Sequence, residues 1–109
     1  MPPASTFVVR FKYLGEAYAA KQDYQAAISE LQNALAISKR DVWATAVIAR
    51  TYALAGQRRK SEAILRDKLH GVKNREDLAI ELAIVYAALG ENDQAFACLE
   101  RDINVVKAD

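Results

Sequence analysis

Apolar residues recur along this chain at three- and four-residue spacing, broken by short polar stretches, and that spacing predicts helices from end to end. Phe11, Leu14, Gly15 and Tyr18 share one face of a first helix, which Lys21-Gln22-Asp23 terminates. A second helix is predicted from about Tyr24 to Ser38, with Ala27, Leu31, Ala34 and Leu35 as its facing stripe and Ile28 beside it. The pattern then starts again. Tyr18, Tyr52 and Tyr86 stand 34 residues apart, and four residues before each lies Leu14, Ile48 or Leu82, followed by Gly15, Ala49 or Ala83. Downstream come Ala27, Ser61 and Ala95, then Leu31, Leu65 and Leu99, then Leu35, Leu69 and Ile103. Three copies of one supersecondary unit are expected to stack as a solenoid, whose function lies in a surface.

Gly56 and Gly90 fall where the first helix of a copy must end and a residue of positive φ is easily accommodated. Short turns there force neighbouring helices antiparallel. Small residues at Gly15, Ala27, Ala34, Ala49, Ser61, Ala83 and Ala95 let paired helices approach closely, while each tyrosine fills the angle between them.

These residues resemble the tetratricopeptide repeat family, over residues 8–109. The Leu-Gly pair of that family is intact as Leu14-Gly15 and relaxed to Ile48-Ala49 and Leu82-Ala83. The aromatic residue ahead of it is Phe11 in the first copy but Thr45 and Ala79 in the others, and Lys39, Lys73 and Lys107 replace the closing proline. The turns between copies are therefore left to the Ser38 to Asp41 and Lys73 to Asp77 stretches. The resemblance implies an all-α fold, a right-handed α-α superhelix of about six antiparallel helices in three units, residues 8–41, 42–75 and 76–109, preceded by a flexible leader at 1–7. Ser5 or Thr6 is available to cap the first helix.

In that family the first helix of each pair lines a concave groove. The resemblance places Val9, Lys12, Tyr13 and Glu16, then Trp43, Ala46, Val47 and Arg50, then Asp77, Ile80, Glu81 and Ile84 along it. Trp43, Val47, Ile80 and Ile84 would form a hydrophobic floor, and Lys12, Glu16, Arg50, Asp77 and Glu81 would set the register of a bound peptide. Trp43 is the preferred anchor, with ordinary packing between repeats one and two as the competing reading. Chaperone-binding members grip a terminal carboxylate with lysine, asparagine and arginine residues. Only Lys12 matches that clamp, while Glu16, Val47, Asp77 and Glu81 occupy its other positions, so an acidic chaperone tail is a disfavoured ligand.

Composition alters this picture little. The chain has 109 residues, 52% hydrophobic and 27% charged, as expected of one folded domain. No window holds the roughly 18 uninterrupted apolar residues of a membrane span. The first residues lack the basic start and apolar run of a signal peptide, and a cytoplasmic location is the default. No catalytic, cofactor-binding or metal site is expected. Cys98 is the sole cysteine and reads as a structural thiol. His70, the sole histidine, lies in His70-Gly71 at an expected helix end, and acidic pairs such as Glu62 with Asp67 or Glu76 with Asp77 read as solvated faces.

Two features remain. Residues 42–75 carry eight basic side chains against two acidic ones, a net of +6, whereas residues 76–109 carry two against eight, a net of −6. These charges either solvate outer faces, attract each other across the repeat boundary, or steer a partner. A nucleic-acid surface on Arg58-Arg59-Lys60 is disfavoured by the acidic neighbour. Secondly, Phe96, Leu99, Ile103 and Val106 form an apolar stripe down the last helix, and the chain ends at Asp109. Either the chain is a fragment of a larger protein, or a second copy covers this face in a homodimer. The function expected is a protein-protein interaction module, a scaffold or adaptor that binds a protein or peptide. The alternative is an oligomerising appendage of a bacterial regulator, which the stretch from Leu82 to Gly90 also resembles.

Overall fold

The computed structural model describes residues 3–69 and 78–107, with 101–107 as backbone only. Six α-helices and no strand occur among the described residues: α1 (Ala4–Ala20), α2 (Tyr24–Ile37), α3 (Val42–Leu54), α4 (Arg58–Asp67), α5 (Ala79–Ala88) and α6 (Asn92–Lys107). They form three helical hairpins, α1 on α2, α3 on α4 and α5 on α6. The hairpins are joined by α3 lying against α2 and α5 against α3. The result is an elongated body of 47 × 32 × 25 Å.

Each hairpin turns by the same device. The N–H groups of Asp23, Gln57 and Glu91 donate to the carbonyls of Tyr18, Tyr52 and Tyr86, and those of Gln22, Gly56 and Gly90 donate to Ala19, Ala53 and Ala87. This pair of bonds is a Schellman motif, which satisfies the last carbonyls of a helix and needs a left-handed residue after it. Gly56 and Gly90 supply φ of 81° and 80°, and in the first copy Gln22 takes the same role at φ 65°. A side chain with a Cβ is thus held in the left-handed region at one of three equivalent turns.

Helix starts are less uniform. Asp23 caps α2 by accepting from the Ala26 N–H at 3.3 Å, and Asp41 caps α3 by accepting from Ala44 at 3.0 Å. Neither Ser5 nor Thr6 caps α1. That helix starts at Ala4, after Pro3 and within the stretch expected to be a leader, with no side-chain cap. Pro3 is extended, and its carbonyl accepts from the Thr6 N–H at 3.0 Å. The turn expected from Lys73 to Asp77 and the pair His70-Gly71 lie outside the described residues.

Close approach is visible where small residues predicted it. A Cβ on Gly15 would stand 2.7 Å from Cγ of Leu31, so α1 meets α2 over bare backbone. Ser61, in the place of Ala27 and Ala95, is buried, and its hydroxyl donates to the Ala49 carbonyl at 2.7 Å. Burying that hydroxyl is tolerable because its hydrogen bond is kept. Among the described residues, two clusters dominate the core. One gathers Ala46, Ala49, Ala53, Leu69, Leu78, Leu82, Ala83, Val85, Tyr86, Leu89 and Ala95, and the other Leu31, Val47 and Ile48. Helix α3 contributes to both and is the centre of the fold.

Candidate functional site

The first surface of interest lies where α1 meets the start of α3. Val9, Lys12 and Tyr13 fall on one face of α1 at three-four spacing, and Trp43 stands in the first turn of α3, set there by the Asp41 cap. Together they line a hollow of about 320 Å³. Tyr13 is 70% exposed, the indole of Trp43 is half-buried, and Trp43 packs against both core clusters from its inner side. Trp43 thus seals the junction of the first two hairpins, as the packing reading expected, and it also lines the hollow.

The charges around this hollow are engaged with one another. The Lys12 ammonium pairs with Asp41 and lies 5.2 Å from the centroid of the Trp43 ring, a cation-π distance. Asp41 thus caps α3 and holds Lys12 at once. One turn further along, Arg50 pairs with Glu16, two residues at equivalent places on α3 and α1. Four of the charged and aromatic side chains predicted to meet a ligand therefore first tie the two helices together. Asp41 was not among the expected site residues. Its signal was an acidic residue placed three before Ala44, at an N-cap.

Val47 is a correction. It was expected on the groove floor, yet it is 0% exposed and packs with Leu31 and Ile48. Because α3 has hairpins on both sides, its groove-facing stripe is narrower than on a helix with one open flank. Ala46, also placed along the groove, is likewise buried in the core. Asp77 lies outside the described residues, and Glu81 is half-buried on α5.

Ile80 and Ile84 do not join Trp43 in one floor. They line a second hollow, of about 280 Å³, with Ala83, Ala87, Asn92, Ala95, Phe96 and Leu99. The structure thus unites two residues expected in the groove with two expected on the terminal face. Phe96 is 61% exposed there, and Ile80, Ile84 and Leu99 are exposed as well. The side chains of Ile103 and Val106, expected to extend this face, lie outside what is described. A third, polar hollow of about 200 Å³, which the repeat pattern did not mark, is lined by Gln25, Ile28, Ser29, Gln32, Tyr52, Gln57 and Lys60, with Lys60 5.5 Å from the Tyr52 ring centroid.

The opposite charges of repeats two and three meet at one arginine. Arg58 pairs with Glu62 at 2.7 Å and with Glu91 at 4.0 Å, and it donates to the Leu89 carbonyl at the end of α5. Its side chain is more than half exposed, so the ion pairs add little stability, while the carbonyl bond fixes one hairpin against the next. Asp67 pairs with Arg66 on an exposed face. Cys98 is half-buried against the larger core cluster. Among the described residues no three His, Cys, Asp or Glu side chains gather as metal ligands.

Compared with known proteins, the chain matches the tetratricopeptide repeat family model over residues 18–69, from the last turn of α1 through α4. Curated proteins and solved structures yield no significant match.

Proposed function

We propose, from the match of residues 18–69 to the tetratricopeptide repeat family, that the chain is a non-enzymatic, cytoplasmic protein-interaction scaffold whose ligand-binding face is the hollow between α1 and α3. The observation that carries this reading is the grouping of Val9, Lys12, Tyr13 and Trp43 around one apolar depression. Two aromatic side chains and an aliphatic wall offer an anchor pocket for an apolar side chain of a peptide. The Lys12 ammonium at its edge offers a cation to the peptide backbone or to an acidic neighbour, in competition with Asp41.

Tyr13 is the best residue for a test, since its exposure means that removing it leaves the fold intact. Peptides selected from a random display library on the native chain should lose at least about tenfold in affinity toward Tyr13→Ala and Trp43→Ala. Peptides that bind Tyr13→Ala as tightly as the native chain would place the ligand face elsewhere.

A second reading is supported by the exposure of Phe96, Ile80, Ile84 and Leu99 on one side of the α5-α6 hairpin. Clustered large apolar side chains at a solenoid's flank mark a contact surface, and this one serves self-association. Sedimentation of the chain from micromolar to several hundred micromolar should show its mass rising with concentration. A constant monomer mass over that range removes this reading.

A further inference from the structure

The 34-residue period carries more information than the repeat count, because a contact seen at one junction can be transported to the next. At the junction of the second and third hairpins, Ala46, Ala49 and Ala53 of α3 are buried in one cluster with Leu82 of α5 and with Leu78 and Leu89, which flank that helix. One period later, Ala46, Ala49 and Ala53 become Ile80, Ala83 and Ala87, which line the open hollow. That hollow is therefore the seat of a helix equivalent to α5. It is not built as a polar end: Arg50 and Glu62 of the covered hairpin are replaced by Ile84 and Phe96 in the uncovered one. A terminal unit facing only water carries a polar outer face, and the substitutions run the other way.

The chain itself contains the equivalent helix, α1, on which Leu78, Leu82 and Leu89 become Arg10, Leu14 and Lys21, so that an apolar centre is flanked by two cations. Two periods before Leu82 stands Leu14, 45% exposed on α1 where Ile48 and Leu82 are 5% and 1% exposed. Phe7, Leu14 and Ala17 follow one another at heptad and three-residue spacing, all exposed, so α1 bears an uncovered apolar stripe on that side. We propose that the α5-α6 hollow of one copy receives α1 of a second copy, head to tail, so that the second copy continues the stack. This rests on the self-association reading above and names its geometry.

Volume and charge both fit. Where α5 offers Val85 to its seat, α1 offers Ala17, and the loss of bulk on the entering helix accompanies the gain of bulk at Ile80 and Phe96. The Arg58 bond to the Leu89 carbonyl shows that these positions are neighbours across a junction. Transported by one period, they become Asn92 and Lys21 of the second copy. Lys21 then arrives beside Glu91 and Asp93, both exposed, at the acidic end of the molecule. Such an interface joins two different surfaces, so each added copy presents a fresh hollow and the assembly grows as an open chain.

Two single variants test this, each spoiling one surface and sparing the other. Leu14→Glu keeps the hollow, and Phe96→Glu keeps the α1 stripe. The native chain should sediment with a mass that climbs past a dimer as concentration rises. Each variant alone should stay monomeric with native helical circular dichroism, and an equimolar mixture should form a dimer and stop. Phe7→Glu with Ile80→Glu repeats the mixture at other exposed positions, should either first variant lose its fold. If Leu14→Glu and Phe7→Glu associate as the native chain does while Phe96→Glu does not, the hollow meets another hollow. The head-to-tail inference then falls, and self-association through the hollow stands. If the native chain is monomeric throughout, both fall together.

Discussion

Helices α3 and α5 are the same element written twice, 34 residues apart, and they differ in what covers them. On α3, Ala44, Ala46, Val47, Ile48, Ala49, Thr51 and Ala53 are all buried, because a hairpin lies on either side. On α5, one flank is buried through Leu82, Val85 and Tyr86, while Ile80 and Ile84 stand in the open. The covered helix carries Ala46 and Arg50 where the open helix carries Ile80 and Ile84. A residue's hydrophobicity in a solenoid is thus a poor guide to its burial, since position in the stack decides it. Bulky residues on an open flank then mark a surface reserved for contact.

A charge placed at each of the two equivalent positions tests this most strongly. Ala46→Asp puts a carboxylate into a site with no exposure and is expected to cost about 3 kcal/mol or more, a large share of the stability of a small repeat domain. Ile80→Asp, one period later, is expected to change stability by less than about 0.5 kcal/mol, because the side chain already faces solvent. Urea denaturation at low micromolar concentration, where association is negligible, measures both. Equal costs at the two positions would mean that α5 is covered as α3 is.

The same contrast explains how far the sequence could be read unaided. Six helices, the hairpin pairing and the turns at Gly56 and Gly90 followed from periodicity, since turn chemistry and three-four spacing are local. Val47 and Ala46 were misplaced because the groove stripe was transferred uniformly from one repeat to the next, although a central helix loses exposure on both flanks. Ile80 and Ile84 were assigned to a common floor with Trp43 for the same reason, and the structure puts them with Phe96 and Leu99. The Asp41 pair with Lys12 was missed because spacing along the chain says nothing of which side chains face each other between helices. Arg58 was counted only as charge, while its contact with the Leu89 carbonyl depends on how two hairpins settle together.

Tight packing inside the first hairpin provides the next contrast. Gly15→Ala fills a place where Cβ would meet Leu31 Cγ at 2.7 Å and the Ala27 carbonyl at 3.3 Å, whereas its equivalents Ala49 and Ala83 already carry that methyl group. Alanine gains about 1 kcal/mol in helix propensity, but overpacking costs about 1 to 3 kcal/mol, so a net destabilisation of about 1 kcal/mol is expected. A stabilised variant in thermal melts would show that the α1-α2 contact gives way easily. At the turn below, Gln22→Gly should stabilise by about 0.5 to 1 kcal/mol, because glycine adopts the left-handed conformation at no steric cost. Gly56→Ala and Gly90→Ala should lose a similar amount. A Gln22→Gly variant no more stable than the native chain would mean that the first turn holds glutamine without strain.

The smallest effect concerns the buried end of α5. The Tyr86 hydroxyl has its pKa raised above the ordinary tyrosine value, first because burial penalises the phenolate, and then because the Cys98 thiolate and the Glu91 carboxylate repel it. A phenol that ionises less readily in the folded chain than in the unfolded one contributes no pH dependence below about pH 10, where both states hold the proton. Above that value the unfolded chain releases its proton first, so the unfolded state binds fewer protons and folding stability must fall as pH rises toward the folded pKa. Urea midpoints compared at pH 8 and pH 10.5 should therefore decline more in the native chain than in Tyr86→Phe. Equal declines would show that the hydroxyl titrates as freely as in the unfolded chain. The flank of α5 that holds Tyr86 would then be as open to water as the flank that holds Ile80.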